Sequence, residues 1–152
     1  GGGDLNFSRI IPGTIRSLLL DEAPIIRSDG SPPRDYVYVT DAVNGYLALA
    51  EKVHDPSFRG EAFNLGTAKP VSVLVLTQQL INLSGKKHLK PVTLGKGKMP
   101  GEIDAQFLSI EKAKRLISWA PTVTLEEGLR ETYDWYQQFF ASHKPLLFAP
   151  PE

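Results

Sequence analysis

The sequence predicts an α/β domain. Short runs rich in β-branched and aromatic residues alternate along the chain with segments of helical apolar periodicity. Gly, Pro, Ser and Asp clusters punctuate the boundaries between them. The 152 residues are 41% apolar and 22% charged, a composition that suits one soluble globular domain with a core of its own.

The elements follow in order. Ser8 is placed to cap a helix from Arg9 to about Leu20, with Ile10, Ile11, Ile15, Leu18 and Leu19 on its apolar face and Pro12 in its first turn. Ile25-Ile26-Arg27 reads as a short strand, and Asp29 to Pro33 as turn chemistry. Tyr36-Val37-Tyr38-Val39 is predicted extended, after which Thr40 or Asp41 caps a helix to about Val53. Ala62-Phe63-Asn64-Leu65 is a further expected strand, closed by Gly66. Ser72 opens a helix to about Leu83, stopped by Ser84-Gly85. Val92-Thr93-Leu94 is a short strand, and Gly95 to Gly101 a solvated loop. Gln106-Phe107-Leu108 reads as extended, and Ser109 as the cap of a helix to about Ser118. Thr124 and Glu127 form a capping box for a last helix to about Ala141. Residues 1–143 are thus expected as one domain, and 144–152 as a Pro-rich, frayed tail.

Composition excludes several functions. Lys plus Arg equals Asp plus Glu, so the chain lacks the positive excess of a broad nucleic-acid footprint. It has no Cys, hence no disulfide, thiolate metal site or Cys nucleophile, and the expectation is a cytoplasmic protein. No apolar run approaches the roughly 20 residues that span a bilayer, and residues 1–4 carry no signal-peptide pattern.

Enzyme signatures are similarly sparse. A dinucleotide fingerprint needs G-x-G-x-x-G between a strand and a helix; Gly1, Gly3 and Asn6 imitate the spacing without the strand or the last Gly. The phosphate loop, the G-x-S-x-G elbow and a Tyr-x-x-x-Lys pair are missing from the sequence. His54, His88 and His143 lie too far apart for helical metal pairing and are read as surface residues. Glu126 and Glu127 offset a helix dipole rather than form a catalytic pair. What remains is Arg9 at a helix start, Arg34 ahead of a predicted strand and Asn64 inside one. A helix N-terminus attracts anions, and Arg adds bidentate recognition of phosphate. By themselves these residues leave two readings, a phosphate-type ligand or ordinary surface arginines, and the second is the default.

The order of motifs shifts that balance. Gly1-Gly2-Gly3-Asp4, Arg9-Ile10-Ile11-Pro12, Arg34-Asp35-Tyr36-Val37-Tyr38-Val39-Thr40-Asp41, Phe63-Asn64-Leu65-Gly66, Pro100-Gly101-Glu102, Trp119-Ala120-Pro121 and Leu125-Glu126-Glu127-Gly128-Leu129 follow one another. From Gly1 to about Phe140 the series resembles the C-terminal half of the extended short-chain dehydrogenases/reductases, the NAD-dependent nucleotide-sugar epimerases and dehydratases. The opening motifs look most like CDP-glucose 4,6-dehydratase and its close relatives.

The resemblance implies the substrate-binding part of such an enzyme without its cofactor-binding Rossmann half. NAD and the Tyr–Lys pair then belong to the intact enzyme, and this chain alone is expected to be inactive. The ligand implied is a nucleotide-diphosphate sugar. Arg34 would bind the diphosphate, Arg9 would lie near the nucleotide and its phosphates, and Asn64 would line the same pocket. Glu102 would accept from the ribose hydroxyls, and Tyr36 would flank the base or support Arg34. Where many relatives carry an Arg before the late Pro-Gly, this chain has Met99 preceded by Lys98. Lys98, a point charge without the planar fork, is a partial replacement. A dehydratase of this kind oxidises the sugar at C4, eliminates water across C5 and C6 and returns hydride to C6. An epimerase, decarboxylase or reductase of the superfamily is the alternative, and a non-catalytic binding or assembly module a third. Charge and the lack of a long apolar run argue against a nucleic-acid or membrane partner, and the intact enzyme is expected to be a homo-oligomer.

Overall fold

The computed structural model describes residues 1–95, 103 and 105–147. Helices dominate it and the strands are only two residues long, in the order α1 (Ile10–Leu19), β1 (Ile25–Ile26), β2 (Pro33–Arg34), α2 (Val39–Ala50), β3 (Val71–Ser72), α3 (Val73–Ser84), β4 (Val92–Thr93), α4 (Glu111–Ile117), α5 (Leu125–Ser142) and α6 (Lys144–Leu147). The chain divides into two compact units. One comprises residues 1–32, 72–104 and 126–152, the other residues 33–71 and 105–125.

The first unit is built on helix packing. Ile15 and Leu18 of α1 and Leu76, Leu80 and Ile81 of α3 are completely buried. Each such side chain contributes about 1.5–3 kcal/mol by leaving water. Tyr136 and Phe140 of α5 are buried as well, and the Tyr136 hydroxyl donates to the Asp4 carbonyl. Ser72 caps α3 as its sequence predicts, accepting from the Val75 N–H at 3.2 Å. Gly85 ends that helix in the left-handed conformation, φ 75°, which costs glycine little. β1 and β4 pair in parallel, Ile25 with Val92 and Ile26 with Thr93.

The second unit has its core at Ile110, Ala113, Ile117 and Trp119, with Leu49, Phe63 and Leu65 packed against it. Gly45 in α2 is required by close approach, since a Cβ there would lie 2.6 Å from Leu65 Cδ1. β2 pairs with β3, and Arg34 makes an isolated parallel bridge to Gln106, the first residue of the expected extended segment Gln106–Leu108 and the one residue of it that pairs.

Several local expectations change. Tyr36–Val39 is not a strand: the paired residues lie earlier, at Pro33–Arg34, and Val39 already opens α2. Ala62–Leu65 is also outside any strand. Their β-prone residues serve as core packing instead, because strand formation needs a partner edge and not propensity alone. Arg9, not Ser8, is the N-cap of α1, and it makes no side-chain cap; Ser8 instead donates its N–H to Asn6 Oδ1 at 3.0 Å. Tyr38 takes the N-cap position of α2, and Ile110 that of α4, neither with a side-chain cap. α2 ends at Ala50 rather than Val53. Within the expected tail, Lys144–Leu147 is helical, and Arg16 Nε donates to the Leu147 carbonyl at 2.7 Å.

Candidate functional site

The first unit contains a cavity of about 760 Å³ at the start of α1, between that helix, β1 and Leu94. Gly13 allows the wall to close, since a Cβ there would come 2.5 Å from the Phe7 carbonyl oxygen. The first turn of α1 contains no acidic residue and its N-cap offers no side-chain acceptor. Its N–H groups and dipole therefore favour an anion.

Three arginines, Arg9, Arg16 and Arg27, line the cavity, with Glu22 as a counter-charge. Arg9 bonds Asp4 through Nη1 at 2.9 Å and is largely exposed, so its partner could be exchanged for a ligand anion at small cost. Arg16 is committed more firmly, to the Leu147 carbonyl and over the Phe7 ring at 5.1 Å from its centroid. Arg27 is exposed at the end of β1.

Arg34, Tyr36 and Asn64 lie in the second unit. The half-buried Arg34 directs Nη1 to the Pro33 carbonyl at 2.9 Å. Tyr36 lines a second cavity, of about 330 Å³, with Thr67, Lys69 and Thr122. Its hydroxyl is buried without a hydrogen-bond partner. Burial raises its pKa above the ordinary phenol value, against the opposing charge of Arg34. Asn64 donates to the Ser109 carbonyl at 3.4 Å, exposed, and lines neither of these two cavities. The structure thus brings Arg34 and Tyr36 into electrostatic contact and places Arg9 on the other cavity. Lys98 and Glu102 lie outside the described residues. No cluster of metal-ligating side chains occurs among the described residues.

Two carboxylates organise the second unit. Asp35 accepts from the Thr67 N–H at 2.9 Å, the Thr67 hydroxyl, the Ala68 N–H at 3.0 Å and the Leu108 N–H at 3.4 Å. Burial opposes its ionisation, but these donors outweigh it and hold the carboxyl below the usual carboxylate range. Asp41 is 1% exposed, and accepts from the Thr122 N–H and hydroxyl, each at 2.9 Å, and the Val123 N–H at 3.0 Å. Sequence reasoning offers Thr40 or Asp41 as a helix cap and gives Asp35 no role. Its partners lie tens of residues away, so no local spacing marks either pairing. Arg16, held by Leu147, is missed for the same reason, and Arg27 because only the fold puts it on the cavity.

Comparison with known proteins gives consistent results. Residues 2–66 match the family described as "NAD dependent epimerase/dehydratase family". A UDP-glucose 4-epimerase of Cyamopsis tetragonoloba is 35% identical over 125 residues, 82% of this chain and 33% of that protein. The chain spans about a third of the length of that relative. Among solved structures, UDP-glucose 4-epimerase from Thermotoga maritima with UDP-glucose superposes with a TM-score of 0.76 at 32% identity, covering 87% of this chain and 40% of that one. A dTDP-glucose 4,6-dehydratase from Bacillus anthracis in complex with NAD gives a TM-score of 0.71 at 28% identity, over 91% of this chain and 42% of that one. The motif order, the family match and these structural likenesses place the chain in the extended short-chain dehydrogenase/reductase superfamily, over part of the length of its members.

Proposed function

We propose that this chain is the nucleotide-sugar-binding portion of an NAD-dependent epimerase/dehydratase, and that it holds the nucleotide diphosphate. The observation that carries the reading is the arginine-lined cavity at the uncapped start of α1. Guanidinium groups and helix N–H donors there supply what phosphate oxygens require. By the motif resemblance alone, Arg34 is also proposed as a diphosphate ligand, with Tyr36 supporting it and Asn64, Lys98 and Glu102 as further proposed contacts. These residues bind and orient; none of them is proposed to transfer a proton or hydride.

The resemblance implies NAD in the intact enzyme, and neither β1 nor β3 is followed by a G-x-G-x-x-G turn. The turn after β1 leads to β2 rather than opening a helix, so no backbone cradle faces a pyrophosphate there. No residue of this chain is therefore assigned to NAD.

Of the reactions, epimerisation of a UDP-sugar is favoured by the likeness to UDP-glucose 4-epimerases. A 4,6-dehydratase acting on a CDP- or dTDP-sugar is the second reading, supported by the opening motifs and by the dTDP-glucose 4,6-dehydratase neighbour. Calorimetric titration of the chain with UDP-, CDP-, dTDP- and GDP-glucose tests binding and base preference together. Saturable binding that weakens in Arg9→Ala is expected. Absence of binding by all four would refute the reading.

A further inference from the structure

Arg34 sits in a segment whose conformation is fixed from three sides. The Gln106 N–H donates to the Pro33 carbonyl at 3.2 Å, the same carbonyl that receives Arg34 Nη1. The next residue, Asp35, ties this segment to residues 67–68 and to Leu108 through four donors. Every partner of the carboxylate is a donor, which suits an acceptor-only group with about four lone-pair sites. Gly66 admits it: a Cβ at Gly66 would stand 2.7 Å from Asp35 Oδ2 and 3.3 Å from Leu108 Cβ. A side chain there would push the carboxylate off its donors.

We propose that Asp35, seated against Gly66, is the positioning residue for the Arg34 guanidinium and so sets its recognition of a diphosphate. The inference rests on the proposed function. The carboxylate itself touches no ligand. It acts by fixing the backbone directly after Arg34, while the Gln106 N–H holds the Pro33 carbonyl on the other side, so that the guanidinium fork meets phosphate oxygens without a cost of ordering. In Asp35→Asn an amide N–H₂ replaces one acceptor oxygen and faces N–H donors, so the three segments come apart while the side-chain volume is kept.

The test is titration calorimetry of the full chain with UDP-glucose and with uridine monophosphate, which lacks the second phosphate. Asp35→Asn and Gly66→Ala are each expected to lower UDP-glucose affinity by about tenfold or more. Both should also shrink the ratio of UDP-glucose to monophosphate affinity, as Arg34→Ala does. The double variant Arg34→Ala/Asp35→Asn should bind no more weakly than Arg34→Ala, because both changes remove the same contact. Asp55→Asn is the control. Asp55 holds an exposed turn through the Ser57 N–H at 2.9 Å and hydroxyl at 2.7 Å, and its variant should bind as the parent. A folded Asp35→Asn or Gly66→Ala that keeps the parental ratio, while Arg34→Ala loses it, overturns the proposal and leaves the functional reading standing. Where Asp35→Asn does not fold, Gly66→Ala decides. Failure of the parent to bind instead refutes the reading beneath it, whereas unchanged binding in Arg34→Ala removes Arg34 from the site and overturns the proposal with it.

Discussion

Asp41→Ala should be among the most damaging single substitutions in the second unit. The residue is 1% exposed, and its carboxylate receives two backbone N–H groups and one hydroxyl from Thr122 and Val123. Its own carbonyl accepts from the Trp119 indole at 2.9 Å, which places the clamp beside the Trp119 core. Truncation strands the two backbone donors, each at about 1–3 kcal/mol, while the Thr122 hydroxyl can turn elsewhere. The expected loss is therefore about 2–6 kcal/mol, against a total of about 5–15 kcal/mol for an ordinary domain. Asp41→Asn keeps one acceptor and should lose about 1–3 kcal/mol.

Urea unfolding followed by tryptophan fluorescence provides the assay. The chain has two tryptophans, Trp119 in the second unit and Trp135 in the first, so a Trp135→Phe background leaves Trp119 as the sole reporter. With an m-value of 1–3 kcal/mol/M for a small protein, Asp41→Ala should lower the midpoint by about 2 M. An unchanged midpoint with an unchanged slope would show that the clamp contributes nothing, and the reasoning would fail.

Three further outcomes are expected. Arg34→Ala should weaken nucleotide-sugar binding by about 2–4 kcal/mol, and Arg34→Lys should recover only part, since the bidentate fork is gone; calorimetry reads both. Gly45→Ala gains about 1 kcal/mol of helix propensity, but its Cβ meets Leu65 Cδ1 at 2.6 Å and Trp119 Nε1 at 3.2 Å. Overpacking of about 1–3 kcal/mol should outweigh the gain, and a thermal melt above the parent's would contradict this. The depressed pKa of Asp35 contributes stability that is present above its ordinary value of 3.8 and is lost as pH falls below it through the folded-state value. Melting temperatures below pH 4 should accordingly fall less steeply in Asp35→Asn than in the parent.

The helices were the most legible part of the chain. α3 carries its own start and stop in Ser72 and Gly85, and α1 and α5 show their apolar stripes in the sequence, because helix hydrogen bonds close within four residues. The motif series likewise pointed to the superfamily without any coordinates. Candidate ligand residues were legible only as types: Arg9 and Arg34 are visible as cations, but not the cavity beside one or the clamp beside the other.

What only the tertiary structure decided concerns partners distant in sequence. Tyr36–Val39 and Ala62–Leu65 have strand composition, yet they form no strand, since a strand exists only where another edge supplies its donors and acceptors. Asp41 is the third residue of α2 rather than its cap, and its carboxylate goes to Thr122 and Val123, 81 and 82 residues further on. Asp35 reaches across 32 residues to Thr67 and 73 to Leu108. Local sequence records propensity and periodicity, whereas a buried carboxylate goes to whichever donors the fold brings to it.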